Sequence, residues 1–397
     1  MMEVWRKIRL GDACVTNIAS YSLREGWKFV NYLDTGNITD NRIGSIQYID
    51  VENEKLPSRA RRKVKKNSII YSTVRPNQRH FGIIKIQPEN FLVSTGFAVI
   101  DVDTEVLDAD FLYYLLTQPT LVEALHALAE QSTSAYPSIK PSDIEDLEIE
   151  IPELAIQKKI ADILGVLDRK IIQNTEINKN LLQQSLYIFE TLINSASKDG
   201  CIGDYCTLKS GFAFKSKWWQ DSGIPVIKIG SINQDYLNLS NCSHVSEDKI
   251  SLAKDFIVSG GDLLIAMTGA TIGKFTMVPK IHKTILVNQR VGKFFLGENP
   301  INKIPFIYCT LKQPEIISEI INRGQGSAQP NISASDIMSI PCVIPQTDEI
   351  NNFNLQTAPM FELIINNQFE NLILAKTRDL LLPRLMSGEI DISNISF

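Results

Sequence analysis

The sequence predicts an α+β fold in which two duplicated, mixed α/β globular domains are separated by two long antiparallel helices of coiled-coil type, related by a pseudo-two-fold axis. Three observations lead there. The chain aligns with itself at an offset of 192 to 194 residues. Each repeat begins with short β-branched and aromatic runs between Gly, Pro and Asn turns, and each closes on a long stripe of apolar residues at helical spacing. With 397 residues, 44% of them apolar, the chain can build more than one core.

The repeat is visible at four places in order. Gly11-Asp12-Ala13-Cys14 lies over Gly203-Asp204-Tyr205-Cys206, Val64–Thr73 over Val258–Met267, and Leu92-Val93 over Leu286-Val287. The strongest match sets Ser134–Pro152 against Ser327–Pro345, with 9 of 19 positions identical and no gap. Units this long make a duplicated domain pair, since solenoid periods are far shorter.

Within each globular part, Ser68–Val74, Leu92–Val102, Asp262–Thr268 and Thr284–Leu296 read as strands. Helices follow at Ala109–Ala129 and Ile304–Asn322, then a polar loop with a Ser-Asp pair, a short β segment and a closing Ile-Pro. Pro152 and Pro345 suit the first turn of a following helix and mark boundaries. The expected domains are 1–152, a helix at 153–198, a second globular domain at 199–345, a helix at 346–390 and a tail at 391–397.

The helical stripes correspond residue by residue. Ile160, Leu167, Ile171, Leu181 and Ile188 fall on Phe353, Met360, Ile364, Leu374 and Leu381 at an offset of 193. Some 44 residues at ~1.5 Å each make a rod of ~65 Å, more than one small domain can cover, so the stripes are expected to pair with each other. Asn174 and Asn367 occupy equivalent seam positions, and direct contact between them is expected. Pro359 argues against a straight, full-length second helix.

Composition narrows the function. The 40 Lys+Arg against 45 Asp+Glu exclude a globally basic chain, while six Cys without a C-x-x-C pair and four scattered His offer neither a zinc module nor a disulfide framework. A reduced, cytoplasmic setting fits. No run of 18 apolar residues or secretory h-region is present, so no membrane association is expected. Gly269–Lys274 resembles a phosphate loop but is one residue short, and Phe275 stands where Ser or Thr would hold magnesium. No metal site and no catalytic residue is proposed. The competing reading is a metal-dependent nuclease using Asp235, Glu247 and Lys249.

Charge placement is more informative. Between Lys55 and Lys85 stand ten basic residues and no acidic one. Arg59, Arg61, Arg62, Lys63, Lys65 and Lys66 are expected to neutralise phosphates, with Arg75 and Arg79 nearer the bases, beside Asn77, Gln78 and His80. A solvated basic face is the plain alternative. The second repeat offers Lys274 and Arg290, and a separate patch of Lys215, Lys217, Trp218 and Trp219, whose alternative is ordinary packing of two tryptophans. The loops before the Ser-Asp pairs place Tyr136 in one repeat, and Gln325, Gln329 and Asn331 in the other, as DNA-contact candidates; they could equally be mere connections. The repeats agree in framework residues and differ at Arg75–Gly82 against Gly269–Thr276, the pattern of two heads on one scaffold, each reading something different.

With these residues in hand, the chain resembles the DNA specificity subunit of type I restriction-modification systems. The likeness rests on Ile151–Ile171, on Leu381–Asp391, and on the two Ser-Asp-Ile segments at 142–144 and 335–337, and it covers nearly the whole chain. The resemblance implies two target recognition domains binding double-stranded DNA, and a non-catalytic subunit that binds two methyltransferase subunits. Through them it would associate with restriction subunits. S-adenosylmethionine, and ATP with magnesium, would be used by those partners and not by this chain. A transcription repressor with duplicated heads is the remaining alternative.

Overall fold

A computed structural model describes residues 5–132, 136–195, 199–325 and 330–392. The chain divides into two compact units, Met1–Asp168 with Lys376–Phe397, and Arg169–Ala375. Among the described residues no helix is long and apolar enough to cross a membrane.

The first unit holds a head of two four-stranded sheets. One runs in the order Cys14–Thr16, Phe97–Val102, Ile69–Ser72, Phe81–Ile83, all antiparallel. The other runs Gln47–Asp50, Phe29–Leu33, Phe91–Ser94, Ala60–Lys63, with its middle pair parallel. The second unit repeats the first sheet strand for strand: Thr207–Ser210, Val291–Phe295, Leu263–Ala266, Phe275–Met277. Its other sheet also keeps a parallel pair, Ile224–Ile227 with Leu286–Val287, but adds Trp219–Gln220 at the far edge. The duplication is thus a duplication of topology.

Two expectations are corrected. The run Leu92–Val102 is not one strand: Thr95-Gly96 turns the chain, and its two halves belong to different sheets. The same happens between Leu286–Val287 and Val291–Phe295. Nor is either late helix single. Ala109–Leu116 is followed by Pro119–Glu130, and Ile304–Lys312 by Pro314–Gly324. Gln118 and Gln313 are extended at ψ 134° and 130°, because the proline ring after each clashes with helical backbone, and each proline then opens the next helix.

Two long helices, Leu154–Ser195 and Thr347–Met386, complete the chain. In the first unit Ile156, Ile160 and Leu164 share a core with Leu382, Leu385 and Met386. In the second unit Phe189 stacks edge-on against Phe353 at 5.8 Å, and Ser185 reaches Met360 at 3.3 Å. Further along, Asn178 meets Asn367, so within this unit the segments run antiparallel. Leu167, Leu181, Met360 and Leu374 are half-buried, while Ile160 and Phe353 are fully inside. Pro359 does not interrupt its helix. It is exposed, and Leu355, whose carbonyl loses its helical partner there, is 78% exposed.

The asparagine expectation is corrected as well. Asn174 and Asn367 do not bond to each other. Asn174 Nδ2 donates to Asn371 Oδ1 at 2.9 Å and to Glu370 Oε2 at 2.7 Å, and Asn367 Nδ2 donates to Asn178 Oδ1 at 2.8 Å. Each amide therefore meets the residue one turn beyond its counterpart, as alternating antiparallel layers require.

Candidate nucleic-acid interface

In each head three segments are laced into one platform by backbone hydrogen bonds. In the first head, Thr73 N donates to Gly96 O, Ile139 N to Thr73 O and Arg75 N to Pro137 O, each at 2.9 Å, and Val74 pairs with Ser138. In the second, Met267 N donates to Arg290 O at 3.0 Å, Ile332 N to Met267 O at 3.0 Å and Gly269 N to Pro330 O at 2.9 Å, and Thr268 pairs with Asn331. Every one of these bonds has its counterpart at an offset of 193 or 194. Because backbone groups do the holding, the side chains at these positions are released from it.

The platform brings the Arg75–Arg79 turn of the basic segment beside the loop before the Ser-Asp pair. Arg75 lies over the ring of Tyr136 at 5.5 Å, a cation–π contact that presents a guanidinium edge next to an exposed aromatic face. Arg79 is clamped by Asp40 at 2.6 Å and packs over Phe81. Both arginines have left-handed backbone, φ 47° and 58°, a conformation that side chains rarely adopt. The residues 194 further on, Gly269 and Gly273, adopt it at φ 71° and 81° without that cost. The first head keeps two arginines where glycine would be easier, and strain of this kind concentrates at functional sites.

The rest of the basic segment is not uniform. Lys63 pairs with Glu25, holding that carboxyl below the usual range, and lies over Trp27. Lys65 is 3.7 Å from Asp101. Arg62 is half-buried, with its Nε enclosed and unpartnered. Arg59 and Lys66 are exposed and Arg61 half-exposed, none within 4 Å of a carboxylate among the described residues, although the charge of Arg59 helps to lower the pKa of Asp34. The cations of this segment left exposed or half-exposed without an ion pair within 4 Å thus include Arg59, Arg61, Lys66 and Arg75.

In the second head Arg290, Gln325 and Asn331 are exposed; Gln329 lies outside the described residues. Lys274 follows Gly273 on the platform turn. Trp218 and Trp219 pack on Phe212 and Phe214, so the tryptophan patch is in part ordinary core. Its cations nevertheless gather there. Lys215 and Lys249 lie over Trp218, and Lys228 lies over Trp219 at 3.6 Å, where burial lowers its pKa. Lys217 sits beside them in the same short turn. Lys228 was illegible in sequence, because only sheet pairing brings it to the tryptophan. Asp235, one of the nuclease candidates, is engaged by Lys312 at 2.6 Å and by the Tyr308 hydroxyl, and Lys249 pairs with Asp248.

Known proteins share this organisation. The model of the "type I restriction modification DNA specificity domain" matches twice, over residues 2–183 and 194–371. The HindI specificity subunit of Haemophilus influenzae is 24% identical, the alignment covering 98% of this chain and 100% of that protein. The MjaIX specificity subunit of Methanocaldococcus jannaschii is also 24% identical, covering 98% and 94%. Among solved structures, the S subunit of a type I restriction-modification system from M. genitalium shares the fold at a TM-score of 0.55 and 16% identity, covering 99% of this chain and 97% of that one. Two copies of the domain, with one sheet repeated strand for strand, place this chain in the family of type I restriction-modification DNA specificity proteins.

Proposed function

We propose that this chain is the non-catalytic DNA-recognition subunit of a type I restriction-modification complex, acting in the cytoplasm. Its two heads each read one part of a bipartite double-stranded target. It recruits two methyltransferase subunits and, through them, restriction subunits. S-adenosylmethionine, ATP and magnesium belong to those partners. The observation that carries this reading is the platform: identical backbone bonding in the two heads, with the charged and planar side chains redistributed between them. Shared frames with divergent exposed groups are what two readers of different sequences require.

Mapping methylated adenines in the source genome, with the gene intact and deleted, tests it. A two-part motif that loses its methylation on deletion is the expected result. An unchanged methylation map, or cleavage of DNA by the purified chain alone, would overturn it.

A further inference from the structure

The second head contains a cavity of about 540 Å³ on its platform, within the size range of small-molecule sites. Its polar lining includes Thr268, Gln289, Arg290 and Asn331, beside Ser210 and Ser333, with Met267 and Ile332 among its apolar walls. Thr268 is 8% exposed and its Oγ1 is buried with no hydrogen-bond partner. The backbone on both sides of it is pinned, Met267 to Arg290 and Ile332, and Gly269 to Pro330. An enclosed hydroxyl left unpaired is costly, and a ligand group is one way to satisfy it. Arg290 extends from the turn opposite, exposed and without a carboxylate partner among the described residues.

The first head lacks this constellation. At the positions of Thr268, Gln289, Arg290 and Asn331 it carries Val74, Thr95, Gly96 and Ser138. A side chain at Gly96 would collide with Thr35, 2.8 Å from the new Cβ. Conversely, Arg75 and Arg79 are replaced in the second head by Gly269 and Gly273. The two heads therefore mount their unclamped arginine on opposite sides of an equivalent frame: Arg75 on one turn, Arg290 on the other.

Resting on the DNA-recognition reading, we propose that this cavity is a base-reading pocket for a guanine in the second head's half-site, with Arg290 its specificity-determining residue. The guanidinium fork donates to O6 and N7 of the guanine, the pairing its geometry suits best. The Thr268 hydroxyl gains its missing partner on the same base pair.

The experiment selects duplexes from a random library with the full chain, alone and reconstituted with methyltransferase subunits, and then measures binding of Arg290→Gly and Thr268→Val. Arg290→Gly, which installs the first head's residue, is expected to lose discrimination at one G·C pair by about 5- to 150-fold, the effect of one bidentate contact. That pair should lie in the half-site unaffected by substitution of Arg75, and affinity for unrelated DNA should stay within about twofold, since phosphate contacts carry no sequence information. Thr268→Val should raise the melting temperature while lowering affinity for the selected duplex, opposite signs that a purely structural threonine does not give. Equal losses on selected and unrelated duplexes would make Arg290 a phosphate contact and overturn the proposal, as would no loss, or a loss at an A·T pair. If the wild-type chain selects no consensus in either state, the DNA-recognition reading itself falls.

Discussion

Arg378 of the second long helix donates through Nη1 to Asp168 Oδ1 of the first at 2.7 Å, and the same carboxylate accepts from the Tyr114 hydroxyl at 2.7 Å. Burial alone would lower the arginine's pKa, but Asp168 and Asp379 together more than offset it and the net direction is upward. Burial and the neighbouring carboxylate push the tyrosine up as well. One side chain thus ties both helices to the head's first late helix, Ala109–Leu116. Asp168→Ala leaves the phenol unpaired and the largely enclosed guanidinium held by Asp379 alone. It is expected to destabilise the protein by about 1–3 kcal/mol, discounted for the remaining exposure, with the melting temperature as the readout.

At the seam, Asn174 Oδ1 is buried without a partner although its Nδ2 is doubly engaged. Asn174→Leu is therefore expected to be neutral or stabilising by up to ~1 kcal/mol, because it replaces a half-satisfied amide by an apolar side chain. Asn178→Leu should instead destabilise, since it strands the buried Asn367 amide. Parallel denaturant melts of the two variants distinguish these signs.

The strained turn allows stability and recognition to be separated. Arg75→Gly relieves left-handed backbone strain of roughly 1–2 kcal/mol, against about 0.4–1 kcal/mol for the greater freedom of glycine in the unfolded chain and about 0.5–1 kcal/mol for the lost cation–π pairing with Tyr136. Melting should stay close to wild type, while discrimination in the first half-site falls by ~1–3 kcal/mol. A duplex scan showing undiminished discrimination would remove Arg75 from the reading face.

For the basic segment, replacing Arg59, Arg61 and Lys66 by Ala should weaken binding to every duplex alike. The logarithmic salt slope should become shallower by about 0.9 for each phosphate that is no longer neutralised. Lys63→Ala should leave that slope unchanged and cost stability instead, because its ammonium is committed to Glu25 and Trp27. Titrations at several salt concentrations settle both.

Burial pushes the thiols of Cys14, Cys206 and Cys342 up to about 12 from an ordinary value of 9.0. A raised folded pKa means that the unfolded chain releases its protons first. The corresponding stability is intact below pH 9 and is lost progressively as the pH rises toward 12. The melting temperature should fall across that window, and mass spectrometry after alkylation at pH 8 should find these three cysteines protected in the folded protein.

Much of the architecture was legible because the repeats share the residues that set backbone: the Gly-Asp openings, the Ser-Asp pairs and the Ile-Pro closures. The seam positions of Asn174 and Asn367 followed from the same offset. The division of Leu92–Val102 between two sheets was not legible, since a continuous apolar run reads alike in one buried strand or two. Pro119 and Pro314 were visible, but their effect was hidden by helix-forming residues on both sides. The candidate interface was legible as chemistry and not as geometry. The basic run stood out, but its division into clamped and open cations depends on Asp40, Glu25 and Asp101, distant in sequence. The platform itself is built from main-chain bonds, which leave no mark on residue type.

That main-chain lacing also bears on how such a protein changes over generations. A surface held by its own side chains can alter its preference only by first loosening itself. Here the adhesive and the text are written in different atoms, so substitutions at 75, 138, 290 or 331 can rewrite a target without dismantling the page, and a duplicated gene can drift toward two unlike half-messages while both copies still fold. Position 79, clamped to Asp40, and position 96, hemmed in by Thr35, resist such editing.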